Sequence, residues 1–150
     1  MRKFVFEFQA LLRYREHQRD MCRQLLAGVF ADESNLISQG NRLETTRQQQ
    51  FDELRQLGQP GEVDVDKTAS RRYYAGHLLG DMRQLQRQRD VVSQQLQLCR
   101  QALVKADQAV KVLENLEERQ RAEFRYLQER QSAKQLEDEW LATRAKDFSR

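Results

Sequence analysis

The sequence predicts an all-α chain, a long antiparallel two-helix coiled-coil hairpin with a C-terminal helix overhang. Two observations carry this fold class. Apolar residues recur with a seven-residue period along most of the 150 residues, and Pro and Gly cluster in one place only. The composition agrees. At 39% hydrophobic and 33% charged, the chain has too little apolar bulk for a wide core and enough for a narrow seam. A fixed period also argues against disorder, because a disordered chain has no reason to keep one. The length fits a single coiled-coil domain over 1–150.

Helix 1 is expected from about residue 5 to 57. Cys22, Val29, Leu36, Leu43, Gln50 and Leu57 are evenly spaced, and Phe8 and Arg15 extend the series backward. A second seam position is read as Phe4, Leu11, Gln18 and Leu25, turning polar at Asp32 and Gln39. Gly40 is expected to bend the helix near that polar stretch. The break is Gly58-Gln59-Pro60-Gly61, within a turn set at 58–66. Asp64, Asp66, Thr68 and Ser70 then offer N-cap oxygens for helix 2, expected from about 67 to 146.

Helix 2 carries the clearest pattern. Leu78, Leu85, Val92, Cys99, Ala106, Leu113 and Leu127 share one heptad position, interrupted by Gln120. Ala75, Met82, Leu96, Leu103, Val110 and Phe124 share the other, interrupted by Arg89 and Glu117. The alternating spacing of three and four is that of a left-handed coiled-coil seam. After Phe124 and Leu127 the apolar stripe shifts to Tyr126, Ala133, Leu136, Trp140, Leu141 and Phe148. Such a slip marks a stutter or a change of partner.

A short turn forces the helices to fold back on each other, so residue i faces roughly residue 124 − i. Helix 1 is then exhausted near residue 120, and the last ~25 residues would project ~35 Å at ~1.5 Å per residue. Beyond that point lie the only Trp and three of the eleven Phe and Tyr residues. Exposed aromatics on an unpaired helix call for a partner surface. The same register brings Cys22 and Cys99 within about a turn of each other, as buried, unbridged thiols.

Charge excludes some functions. The 26 basic and 23 acidic residues, net +3, are mixed along the chain, whereas a nucleic-acid binder concentrates positive charge. The one basic cluster, Arg71, Arg72, Arg83, Arg87 and Arg89, reads as a solvated helix face; a regulator of nucleic-acid-bound machinery is the reading it would otherwise support. No stretch reaches the ~18 apolar residues of a membrane span, and Met1-Arg2-Lys3-Phe4-Val5-Phe6 lacks the apolar run and cleavage site of a signal peptide. The expected location is the cytoplasm, with both cysteines reduced.

No catalytic constellation emerges. His17 and His77 fall about thirty residues out of register and cannot share a metal or a substrate. No phosphate-cradling glycine loop, CxxC pair or HExxH occurs. Glu137-Asp138-Glu139 reads as a solvated helix face, and a two-helix ribbon offers no interior pocket to shift a pKa. No enzyme activity, cofactor, metal or small-molecule substrate is therefore expected. Surface remains. Tyr73, Tyr74, Leu78 and Leu79, facing Leu43 and Phe51, put more apolar bulk near the turn than one seam can bury. They either cap the hairpin or dock a partner.

Several segments resemble a known family. Phe4-Val5-Phe6-Glu7-Phe8-Gln9-Ala10-Leu11-Leu12-Arg13-Tyr14-Arg15-Glu16 is similar to the opening of FliJ proteins of the bacterial flagellar export apparatus, with Phe8 standing near where the family often has Leu. Lys111-Val112-Leu113-Glu114-Asn115-Leu116-Glu117-Glu118-Arg119 resembles a later stretch of that family. Gln135-Leu136-Glu137-Asp138-Glu139-Trp140-Leu141-Ala142 resembles its ending.

The resemblance implies the stalk of the type III export ATPase, shaped like the γ subunit of rotary ATPases. One end enters the hexameric ATPase ring, and another part contacts the cytoplasmic domain of the export gate and escorts export chaperones. On this implication Phe124, Tyr126, Leu127, Leu136, Trp140 and Leu141, with the first turns of helix 1, face the ring. Leu43, Phe51, Tyr73, Tyr74 and Leu78 face the gate. The protein would sit at the inner membrane through partners only. The other readings are a structural coiled coil that tethers or self-associates, and a stalk of a virulence type III secretion system.

Overall fold

The computed structural model describes residues 3–58, 61 and 64–148. Two long α-helices pack against each other, α1 over Gln9–Leu57 and α2 over Val65–Phe148, and no strand occurs among the described residues. Both run without interruption through their heptads. α1 ends at Gly58, whose amide still donates to Leu54 O at 3.1 Å. Gln59 and Pro60, the core of the expected break, lie outside the described residues. Among the four expected N-cap residues the structure selects Asp64. Its Oδ1 accepts from the amides of Asp66 and Lys67 at 3.1 and 3.3 Å, so α2 starts two residues earlier than the pattern suggested.

The chain divides into two compact units, Met1–Asp20 with Val104–Arg150 and Met21–Leu103. In the second of these, the α2 seam follows the expected heptads. Leu78, Leu85 and Leu96 are buried, with Ala75, Met82, Val92, Cys99 and Leu103 half-buried between them, and Arg89 exposed. Gly40 approaches Leu85, and Arg71 pairs with Glu53, both close to the expected register.

The α1 seam is corrected. Leu25 is 62% exposed, and Asp32 and Gln39 face solvent; Leu26, Glu33, Gly40 and Leu54 are half-buried instead. The second seam position therefore lies one residue later than the spacing suggested. The cause is local. Leu25-Leu26 is a doublet, so periodicity alone cannot choose between its members, and packing against α2 does. α1 is continuous through Gly40. This glycine sits in the seam, where a Cβ would stand 3.3 Å from Leu85 Cδ2, so the missing side chain makes room for a buried leucine. Cys22 and Cys99 are free thiols, half-buried and not fully buried as expected.

In the unit formed by the two chain ends, α1 begins at Gln9, four residues after the expected start. Residues 3–8 form a non-helical strap. Phe6 is 5% exposed and packs with Leu12, Val110 and Leu113, flanked by Phe4 and Leu116. Leu12 is 4% exposed and Leu11 41%, the same choice within a doublet as at Leu25-Leu26. The strap's signal was present: Phe4, Phe6 and Phe8 alternate with the period of extended chain. Arg19 also enters the seam. Its Nε is buried without a hydrogen bond, 3.5 Å from Asp20 Oδ1 and 4.0 Å from Asp107 Oδ1, so nearby carboxylate charge compensates it.

Candidate functional site

The C-terminal part of α2 is held by the strap and then becomes exposed at every described residue from Glu129 on. The Phe4 ring lies 5.7 Å from that of Phe124, tilted by 54°, and Arg121 covers the outer side of Phe4 at 5.3 Å. Phe124 is thus half-buried. The cover reaches further along α2 than the expected limit near residue 120, because an extended segment spans more distance per residue than a helix. Leu127 is 54% exposed, and the half-buried position passes to Gln128. From Glu129 to Phe148 every residue is exposed.

That exposed stretch is rich in apolar side chains. Leu136 is 67% accessible, Trp140 and Leu141 57% each, and Phe148 90%. Along with Tyr126 at 61% they form the shifted stripe seen in the sequence. The Arg144 guanidinium lies 4.8 Å above the Trp140 ring, a contact within one helix. Helix 129–148 persists because its residues are good helix formers, Glu, Gln, Arg, Lys, Leu and Ala, and not because anything covers it.

The expected gate-facing residues divide. Tyr73 is 73% exposed, Phe51 57% and Tyr74 48%, so these three present surface. Leu43 is half-buried and Leu78 is 5% exposed, so both belong to the seam and offer a partner little. Leu78 fills the floor of a small apolar notch with Leu54, Ala75 and Met82, rimmed by Phe51 and Leu79. The Tyr73 hydroxyl lies 3.2 Å from His77 Nε2, their rings 5.0 Å apart and edge-on.

Among the described residues no group of three or more His, Cys, Asp or Glu is placed to hold a metal ion. Nor is any described helix long and apolar enough to cross a membrane.

The family model described as the flagellar FliJ protein matches residues 4–147. No curated protein and no solved structure matches the chain.

Proposed function

We infer the function from family and surface together: the chain belongs to the FliJ family, whose members are components of the flagellar export apparatus. In our reading it is the non-enzymatic stalk of that apparatus. The end of α2 enters the export ATPase ring, and the surface near the turn meets the cytoplasmic domain of the export gate. Export chaperones are carried between them, and the protein reaches the inner membrane only through these partners.

One observation supports this most directly. α2 keeps its helix from Glu129 to Phe148 with no residue covered, while displaying Leu136, Trp140, Leu141 and Phe148. A stable monomer has no use for that stripe, and a single helix is slim enough to lie along a ring axis. Exposed Tyr73, Tyr74 and Phe51 support the gate-facing half.

Truncation after Gln128 tests the reading while keeping the Phe4–Phe124 contact. The expected result is loss of stimulation of the export ATPase, with binding to the gate domain retained. Full stimulation by the truncated protein would overturn the assignment of that end.

A further inference from the structure

The arginine cluster read from the sequence as a solvated face separates into two parts in the structure. Arg71 is engaged by Glu53. Arg72, Arg83 and Arg87 are exposed, and no hydrogen bond, ion pair or ring contact holds any of the three guanidiniums. This is unlike Arg47 and Arg121, which pair with Glu44 and Glu117 at 2.8 and 2.7 Å within the same chain. Positions 72, 76, 80, 83 and 87 follow helical spacing, so the three arginines share one face of α2 with Gly76 and Gly80. The seam residues Leu78, Leu85 and Leu96 lie on the opposite side, and Arg87, at the edge of this face, also lines a groove with Asp32 and Gln39 of α1.

Nothing lies within 4 Å of a Cβ built on Gly76 or Gly80. Each glycine weakens the helix, and neither is needed by any contact within the chain. Tyr73 and Leu79, 73% and 50% exposed, flank this bare stretch of backbone. Asp81 shares a shallow groove with Arg72, Tyr73, Gly76, His77 and Gly80, and Asp90 accepts a hydrogen bond from Gln86 at 3.0 Å.

We propose that this outward face, from Arg72 to Arg87, docks an acidic helix of a partner protein. Charge complementarity selects the partner. Three unpaired guanidiniums in a row about 22 Å long match carboxylates repeating along one side of a helix. The bare backbone between them admits the close crossing of a second helix, and Tyr73 supplies an aromatic anchor beside it. Asp81 and Asp90 repel a continuous phosphate track or a uniformly anionic membrane. The surface shares no residue with the stripe assigned to the ATPase ring. It shares Tyr73 with the gate-facing surface but does not depend on that reading.

The test uses the full chain and a fluorescent helical peptide bearing Glu on one face. Its Gln counterpart, a short DNA duplex and phosphatidylglycerol vesicles serve as competitors. Wild type should bind the Glu peptide about tenfold or more above the Gln peptide, and R72Q/R83Q/R87Q should lose about that factor. G76A/G80A keeps every charge, and should melt higher yet bind the peptide several-fold more weakly. G28A, equally open on α1, should leave binding unchanged. Three results would overturn the proposal. One is G76A/G80A binding as tightly as wild type, since only general attraction would then be at work. Another is DNA or vesicles displacing the peptide at lower charge concentration. The last is an arginine-dependent dimer, which would make a second copy the occupant.

Discussion

At the scale of single residues, stability concentrates where the strap meets the helices. Phe6, Leu12, Val110 and Leu113 form a cluster of buried side chains, and Phe6 is the member from outside a helix. Val5, beside it, is 81% exposed. Adjacent residues in extended chain point to opposite sides, so one ring is enclosed and the next side chain is left in water. Phe6→Ala should therefore cost about 3–5 kcal/mol, while Val5→Ala stays within about 0.5 kcal/mol. Urea unfolding followed by circular dichroism compares the two directly. Equal effects would mean that the strap does not enclose Phe6.

At the scale of elements, α2 was legible in the sequence and α1 was only half so. α2 also has doublets, such as Leu78-Leu79, Val91-Val92 and Val112-Leu113, but the lone seam residues Met82, Leu85, Leu96, Ala106 and Phe124 recur among polar neighbours and fix the phase between them. In α1 the doublets Leu11-Leu12 and Leu25-Leu26 satisfy two phases equally, and the facing surface of α2 decides. The second phase aligns Leu12, Arg19, Leu26, Glu33 and Gly40, a row so polar that no hydrophobic count would choose it. It succeeds because Arg19 finds Asp20 and Asp107, and Gly40 admits Leu85. The strap was misread as helix because its flanking residues are good helix formers. The aromatic overhang and the surface aromatics near the turn were legible as residues. That Leu78 belongs to the floor and not the surface depended on the partner helix.

The phase of α1 can be checked within a single doublet. Leu26→Ala should destabilise the protein by about 1–3 kcal/mol, a half-buried leucine losing part of what a core leucine loses, and Leu25→Ala by less than about 0.5 kcal/mol. Thermal melts of the two variants rank them. The reverse order would restore the seam through Leu11 and Leu25.

At the scale of the whole molecule, the end of α2 sets function against stability. Hydrophobic side chains usually stabilise a protein by leaving water, at about 25 cal/mol per Å² of apolar surface removed. The residues after Gln128 remove almost none, since every described one is exposed, Trp140 and Leu136 included. Their contacts are local to one helix, such as Arg144 over Trp140 and Thr143 Oγ1 donating to Glu139 O at 2.7 Å. Such contacts contribute a few tenths of a kcal/mol each and vanish with the segment that makes them. Truncation after Gln128 should thus leave the melting temperature of the remaining chain within about 2 °C of the full protein, since one kcal/mol corresponds to several degrees for a chain of this size. Hydrogen exchange should show amides of 129–148 opening far more readily than those around Val110 and Leu113 in the intact protein. A fall of many degrees on truncation would mean that the stripe stabilises the fold itself. An unchanged melt accompanied by lost ATPase stimulation would place its apolar surface in the service of a partner.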